Sequence, residues 1–278
     1  MKLQLGVKTE ADSLYHKNRD FIGSTELREM SKSPKHFHEA WKNSEYSEPT
    51  AAMVRGSVLH SVLLEQDLSK YVKRPVDEDG KQIAVNTKVY KAWLETIGDK
   101  IPVAADLYDD LYKALSAFAD NKRAMKLIEG AQIEQSVYAQ DHESGLYVKA
   151  RPDIWKGDVL IDLKTTEEIN RQFRNRIFDF GYDFQMGHYS ETIRSSGHNR
   201  IKDYYIIAFE AVAPFDLKIF RMDLGDIDAA INLRQQYLNE ISVCVRQNKF
   251  PGYSDDIETV TKPNYMQKNQ DLTFEVVS

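Results

Sequence analysis

The chain has 278 residues, enough for one large or two small domains. Its 42% hydrophobic and 29% charged residues are typical of a soluble globular protein, and no apolar run approaches the roughly 18 residues that a membrane span needs. A single cysteine, Cys244, excludes an internal disulfide and any cysteine-based zinc or iron–sulfur site. The formal net charge of −6 argues against a protein that coats nucleic acid through bulk charge, but not against an enzyme with acidic metal ligands in a cleft.

The first half of the chain is predicted to be mainly helical. Residues 1–22 are polar and predicted to be irregular, and residues 23–41 read as two short helices. Ser24 and Ser33 are the expected N-caps, the second followed by a proline at the first helical position. Further helical patterns and one turn-rich loop complete this half: helices at 51–66, about 87–98 and 104–129, and the loop at 75–82.

The second half changes to an alternating pattern. Residues 131–140 and 146–155 alternate as two strands around the turn "DHESG", which predicts a hairpin. The elements expected after it are a strand at 158–166, helical residues at 167–196, strands at 203–211 and 215–222, and an amphipathic helix at 224–248. This order predicts one α/β domain over 23–250 with a central mixed β-sheet flanked by helices, an N-terminal helical part, and a C-terminal tail at 251–278.

Three charged residues occupy strand positions that should be buried. Asp153 lies at the end of "VKARPD", and Asp162 and Lys164 lie in "VLIDLKTT", so the last two share one face of a strand. If the two strands are neighbours, the two carboxylates meet over one patch of sheet and become natural ligands for Mg²⁺. A lysine two residues after a carboxylate can hold a water or stabilise charge on a phosphate. Glu134, on the preceding strand, can add a third carboxylate.

The alternative interpretation is that these residues are surface charges on solvated strands. A pattern as short as Asp-x-Lys arises by chance, and on that pattern alone the two interpretations are equally good. The apolar runs "VLI" and "YV" that flank the charges make a fully solvated strand the weaker interpretation.

Four segments in order resemble one nuclease family. "RPD" followed by "IDLKTT" resembles the PD-(D/E)XK motif, "RGSVLHSVLLE" resembles the glycine–histidine helix of its RecB-like and RecE-like branches, and "YDFQMGHYSETI" resembles their Gln-xxx-Tyr element. The order and spacing over about residues 22–250 are most similar to the RecE-type phage exonucleases (exodeoxyribonuclease VIII).

The resemblance implies a role for each matching residue. It implies Asp153 and Asp162 as metal ligands, Lys164 as the catalytic lysine and His60 as the helix histidine near the metal and a further ligand of it. Glu134 is implied as the upstream acidic residue of the site, and the Leu163 carbonyl as a further group facing the metal. Without the motif, His60 would more often be an ordinary core or surface histidine.

Further residues are expected to contact DNA. Lys149 and Arg151 share the Asp153 face and are the better phosphate ligands, and Gln185 and Tyr189, one helical turn apart, are expected at the DNA backbone. Thr165 is interpreted equally well as a phosphate donor or as a strand end. The three arginines of "NRQFRNR" are either a phosphate-contact strip or, as is more frequent, a solvated helix face: Arg171, Arg174 and Arg176.

The expected function is therefore Mg²⁺-dependent hydrolysis of double-stranded DNA from its ends, with Mn²⁺ as a substitute metal. The resemblance further implies 5′→3′ polarity, a ring-shaped homo-oligomer such as a tetramer, and a single-strand annealing protein as partner in recombination. Alternatives are a structure- or sequence-specific endonuclease on the same core, and a non-catalytic DNA-binding or assembly protein. No membrane association is expected, and a cytoplasmic location in a bacterial or phage-infected cell fits the single cysteine.

Overall fold

The structure, a computed structural model, describes residues 3–43 and 50–263, and it leaves the side chains of residues 51 and 52 undescribed. The helices are α1 (Asp12–Lys17), α2 (Ser24–Arg28), α3 (Pro34–Lys42), α4 (Ala51–Glu65), α5 (Lys88–Leu94), α6 (Ala105–Asp120), α7 (Lys122–Ile128), α8 (Arg171–Asp179), α9 (Tyr182–Ser195) and α10 (Leu224–Gln247). The strands are β1 (Gly6–Lys8), β2 (Tyr71–Lys73), β3 (Ile101–Val103), β4 (Gln132–Ile133), β5 (Ser136–Gln140), β6 (Tyr147–Ala150), β7 (Ile154–Lys156), β8 (Val159–Thr166), β9 (Asp203–Glu210) and β10 (Leu217–Arg221).

A five-stranded mixed sheet organises the molecule, with the strand order β10-β9-β8-β7-β4. The pair β8 and β9 is parallel and the other neighbours are antiparallel. The parallel pair needs a crossover connection, which α8 and α9 provide. The predicted α/β fold with a central mixed sheet is thus confirmed.

The predicted hairpin exists, but it bends from one sheet into another. Its outer half, β5 and β6, joins β1 in a three-stranded sheet, and its inner half, β4 and β7, belongs to the five-stranded sheet. Both halves keep one pairing register, because Val137 lies opposite Ala150 and Gln132 lies opposite Trp155. The bend therefore falls at Glu134, whose backbone has a positive φ of 48°, and at the facing residues 151–153.

Apolar side chains cover both faces of the five-stranded sheet. Ile161 and Leu163 of β8 pack in one core with α4 and α6, whereas Leu160 of the same strand packs in a second core with α8, α9 and α10. The alternation of β8 places Asp162 and Lys164 on the second face, next to α9. Asp162 is 4% exposed, so the charged residues do lie on a buried part of the sheet.

Several local predictions are wrong. The segment 1–22, of which residues 3–22 are described, is not wholly irregular, since it contains β1, which pairs with β5, and α1. The short parallel pair β2 and β3 was not expected. Ser24 is the first helical residue after the N-cap Gly23 and caps nothing, whereas Ser33 does accept a hydrogen bond from the His36 amide as expected. In the described part of the chain, no helix is long and apolar enough to cross a membrane.

Candidate active site

The two aspartates of the motif lie opposite each other at the bend of the hairpin. Ile154 of β7 pairs with Ile161 of β8, so the same register places Asp153 opposite Asp162. Asp153 lies one residue before β7, and its Oδ2 accepts a hydrogen bond of 2.8 Å from the Leu163 amide. This contact fixes the Asp153 carboxylate against β8.

A proline opposite Leu163 leaves the carbonyl of that residue without a ladder partner. The N–H and C=O of one strand residue point to the same side, and the Leu163 amide points toward Asp153. In a continued ladder the Leu163 carbonyl would accept from residue 152, but Pro152 has no N–H. The carbonyl oxygen of Leu163 is therefore directed toward the Asp153 side of β8 and is available to another donor or to a cation.

Asp162 and Lys164 form a buried ion pair with a separation of 2.6 Å between Oδ2 and Nζ. Neither carboxylate oxygen of Asp162 accepts a hydrogen bond of good geometry, although both are buried. Burial, together with the nearby Asp153 charge, raises the pKa of Asp162 to about 6 against the opposing effect of Lys164. For Lys164, burial is outweighed by the two carboxylates, which raise the pKa of its ammonium group.

His60 of α4 joins the site from the other side of the sheet. Its Nε2 lies 2.9 Å from Asp153 Oδ2, and its Nδ1 lies 3.5 Å from Glu134 Oε1. Burial lowers the pKa of His60, but Asp153 and Glu134 outweigh it and raise the pKa to about 10. In return, the pKa of Asp153 is lowered despite its burial, and the pKa of Glu134 is lowered by the same histidine.

Gly56 lets α4 approach β8 closely enough to deliver His60. A Cβ atom on Gly56 would come within 3.2 Å of Thr165 Oγ1, which is tighter than an ordinary contact. The neighbouring Arg55 fixes the helix by donating to the Ala211 carbonyl and to Asp110. The glycine of "RGSVLH" is thus explained by packing.

Residues of α9 surround the Lys164 ammonium group. Lys164 donates to Gln185 Oε1 at 3.1 Å, and Gln185 donates to the Tyr189 hydroxyl at 2.7 Å. The ammonium group also lies 4.3 Å from the centre of the Tyr182 ring. The predicted Gln-xxx-Tyr element therefore contacts the lysine directly. Tyr182 was missed, but its position three residues before Gln185 puts it on the same helical face and was the available signal.

This donor set fits a hard divalent cation. No group of three or more His, Cys, Asp or Glu side chains forms a ready-made cage within residues 3–43 and 50–263. Mg²⁺, however, is usually held by one or two carboxylates while it keeps several waters. Asp162 offers the buried Oδ1, which has no hydrogen-bond partner in the described part of the chain, and the register of β7 and β8 puts Asp153 and Leu163 next to it. The residues present therefore fit Mg²⁺.

The matching family model is described as a PDDEXK-like domain of unknown function (DUF3799), and it matches residues 23–263. The chain belongs to this PDDEXK-like family. The membership places the chain in the PD-(D/E)XK nuclease superfamily, and the match extends beyond the expected end of the domain at residue 250.

Two solved structures similar to the PDDEXK-like chain carry exonuclease names. A candidate exonuclease from Eubacterium rectale is 13% identical with a TM-score of 0.61, over 95% of this chain and 100% of that one. A phage-related exonuclease from Haemophilus somnus 129PT is 13% identical over 68% and 94% of the two chains, but its TM-score of 0.26 carries no argument. A search of curated proteins finds no match. The likeness to the first structure shows the fold, and together with the family it suggests a nuclease.

Two residues predicted to contact phosphates are engaged elsewhere in the PDDEXK-like domain. Lys149 is 1% exposed, and its ammonium group donates to the carbonyls of Tyr15 and Asn18. Its assignment as a phosphate ligand is wrong for this structure, because the side chain points into the N-terminal segment.

Arg151 is likewise held by the protein, and its assignment as a phosphate ligand is corrected too. Its guanidinium group donates to the Glu10 carbonyl, to Ser136 Oγ and to Glu134 Oε2. The arginine thereby orients Glu134, which in turn contacts His60. Arg151 is thus part of the support of the site.

Thr165 lies on the face of β8 opposite Lys164, against Gly56 of α4. The structure therefore brings five of the predicted site residues together around the two aspartates, and Thr165 lies behind them. The five are His60, Glu134, Lys164, Gln185 and Tyr189. A phosphate contact from Thr165 stays a prediction.

Proposed function

We propose that this protein is a Mg²⁺-dependent exodeoxyribonuclease that degrades double-stranded DNA from its ends and leaves single strand for recombination. One observation carries the proposal. Asp153 and Asp162 lie opposite each other in the register of β7 and β8, and the buried Asp162 carboxylate contacts the Lys164 ammonium group at 2.6 Å through Oδ2, while its Oδ1 has no hydrogen-bond partner in the described part of the chain. Such an arrangement is costly for a protein that does not bind a cation.

Asp153, Asp162 and the Leu163 carbonyl would hold the metal, and His60 would orient Asp153 from behind. When bound, Mg²⁺ supplies charge for the scissile phosphate and lowers the pKa of a bound water.

Lys164 contributes an ammonium group whose position is set by Asp162 and Gln185. This group donates hydrogen bonds to the attacking water or to a phosphate oxygen as negative charge develops. Tyr182 covers one side of the ammonium group and limits its exposure to water. The contribution of the lysine is therefore made mainly in the transition state.

The same proposal includes five further properties. They are a 5′→3′ polarity, a ring-shaped homo-oligomer such as a tetramer, Mn²⁺ as a substitute metal, a single-strand annealing protein as partner, and a cytoplasmic location in a bacterial or phage-infected cell. What supports them is the resemblance of the four motifs to those of RecE-type exonucleases. Each needs its own measurement.

The proposal is tested with Lys164→Ala. This variant should lose cleavage of linear duplex DNA by orders of magnitude yet bind Mg²⁺ with unchanged affinity in calorimetry, because the lysine is not a metal ligand. Lys202→Ala, which removes an exposed lysine paired with Asp158, is the matched control and should cleave normally. Wild-type DNA binding without cleavage under Mg²⁺ or Mn²⁺ would support a non-catalytic protein instead.

A further inference from the structure

One face of α8 is exposed, basic and aromatic. Phe173 and Ile177 are buried on the inner face, where Phe173 contacts the ring of Phe220. Arg171, Arg174 and Phe178 are exposed and follow one another at the spacing i, i+3 and i+7, so they lie along one stripe.

Neither arginine of this stripe is neutralised by an acidic partner. Across the described residues 3–43 and 50–263, neither Arg171 nor Arg174 forms an ion pair, and the Arg174 guanidinium lies 5.8 Å from the Phe220 ring centre. Among the nearby acidic residues, Asp179 is the only one within α8, and Glu168 accepts a hydrogen bond from Asn170. The stripe therefore presents two arginines that no direct ion pair in the described part of the chain holds, on a chain whose net charge is −6.

The C-terminal end of α8 adjoins the candidate active site. Phe178 and Phe180 are each 50% exposed, and Phe180, the C-cap residue of α8, lies on another side of the helix from the stripe. Phe180 lines a cavity of about 200 Å³ together with Arg28, Tyr182 and Gln185. Since Tyr182 and Gln185 contact Lys164, the end of α8 that follows Phe178 borders the site.

We propose that the α8 stripe, defined as Arg171, Arg174 and Phe178, holds a single-stranded segment of DNA that continues from the site around Lys164. The inference rests on the proposed nuclease function and names the form of the substrate at this surface. Arginines contact phosphates whatever the base sequence, whereas a phenylalanine ring can stack only on a base that has left the duplex stack. A merely solvated helix face would account for the arginines but not for a half-exposed phenylalanine in line with them.

The test measures binding of the whole chain to a labelled oligothymidylate and to a duplex of equal length, in chelator so that cleavage plays no part. Arg171→Glu/Arg174→Glu should weaken oligothymidylate binding more than tenfold and make the slope of log affinity against log salt shallower by about 1.4, which is about 0.7 for each of two phosphate contacts. Phe178→Ala should weaken it about fivefold or more, the effect of losing one base stack.

The matched control is Lys122→Glu/Arg123→Glu, which makes the same charge change at two exposed positions of α7. It should retain most of the wild-type affinity. Circular dichroism checks that every variant is folded.

Equal losses in the α7 and α8 variants would overturn the inference, since bulk charge would then explain the binding. A loss confined to duplex binding would overturn the single-strand assignment. If wild-type protein cleaves linear DNA while the α8 variants bind oligothymidylate normally, this inference fails and the proposed nuclease function stands. If the wild type binds through α8 but cleaves under no divalent metal, the nuclease proposal fails instead.

Discussion

Asp153 and Asp162 belong to one motif, yet their carboxylates have opposite surroundings. Asp153 accepts hydrogen bonds from the Leu163 amide and contacts His60, and its pKa is lowered despite burial. The pKa of Asp162 is raised to about 6 by burial. In the metal-free protein Asp153 is thus a stabilising group, whereas Asp162 costs stability when it is ionised.

This asymmetry predicts different stabilities for two alanine variants in chelator. Asp153→Ala should lower the free energy of unfolding by about 1–3 kcal/mol, because it leaves a buried amide unsatisfied. Asp162→Ala should cost less than Asp153→Ala, since the removal of a buried carboxylate with a raised pKa offsets part of the cost of leaving Lys164 without this partner, and Lys164 still donates to Gln185. Both should lose cleavage, and added Mg²⁺ should raise the melting temperature of the wild type only. Equal destabilisation by the two variants would contradict the surroundings described.

His188 gives the protein an acid-sensitive buried group away from the metal ligands. It is 0% exposed, its Nε2 donates to the Lys149 carbonyl, and its Nδ1 has no hydrogen-bond partner. Burial, with the Arg234 charge as a smaller cause, lowers the pKa of His188 to about 3. The neutral ring is therefore favoured in the folded state.

The free energy of unfolding should therefore decrease at acidic pH because of His188. Its contribution is fully present above the unfolded-state pKa of about 6.5 and is lost as pH falls from there toward 3. His188→Gln keeps a donor for the Lys149 carbonyl but cannot take up a proton, so its unfolding free energy should depend less on pH in that window. The exposed His142, changed to Gln, is the control and should follow the wild-type curve. Parallel curves for wild type and His188→Gln would refute the assignment.

At the scale of elements, α4 and the bent hairpin bring the site together. The alternating pattern of the hairpin was readable from the sequence, and so was the helix that carries His60. The bend at Glu134 was not, because one residue with positive φ leaves the hydrophobic alternation and the pairing register unchanged. The two short strands β2 and β3 were also missed, because three residues are too few to show a period.

The close approach of α4 to β8 makes Gly56 a sensitive position. Gly56→Val should push the helix away from Thr165, displace His60 from Asp153, and lower both the melting temperature and the cleavage rate, the latter about tenfold or more. Ser57→Val places the same side chain at an exposed position of the same helix and should have little effect on either quantity. Comparable losses in the two variants would show that helix propensity, not the approach to β8, is responsible.

At the scale of the molecule, contacts between distant segments determine what the sequence alone could not show. Lys149 and Arg151 occupy alternate positions along the hairpin, as the sequence pattern predicts. The Lys149 ammonium group, however, donates to the carbonyls of Tyr15 and Asn18. Because these partners lie more than a hundred residues away along the chain, no local pattern indicates them. The ion pair between Asp141 and Arg234 joins the end of the hairpin to α10 across 93 residues, and no local pattern indicates it either.

This buried ion pair should be a major support of the fold. Asp141 and Arg234 are both nearly inaccessible, and the Nε and Nη2 atoms of Arg234 have no hydrogen-bond partner in the described part of the chain. Asp141→Asn should lower the free energy of unfolding by about 3–5 kcal/mol, because it leaves the arginine charge buried and unpaired. Asp228→Asn breaks the exposed pair with Arg200 and should cost less than about 1 kcal/mol. Chemical denaturation measures both, and similar small costs would contradict the burial.

Incubation of the whole protein with linear duplex DNA and with covalently closed circles of the same sequence, with and without Mg²⁺, tests end-dependent, metal-dependent cleavage. We expect linear DNA to shorten progressively only with Mg²⁺ and to leave single strand, while closed circles persist and Ca²⁺ supports little cleavage. The Asp162→Ala protein should leave both substrates intact. Rapid cutting of closed circles into discrete fragments, or shortening of linear DNA in chelator, would show that the protein is not a Mg²⁺-dependent exonuclease.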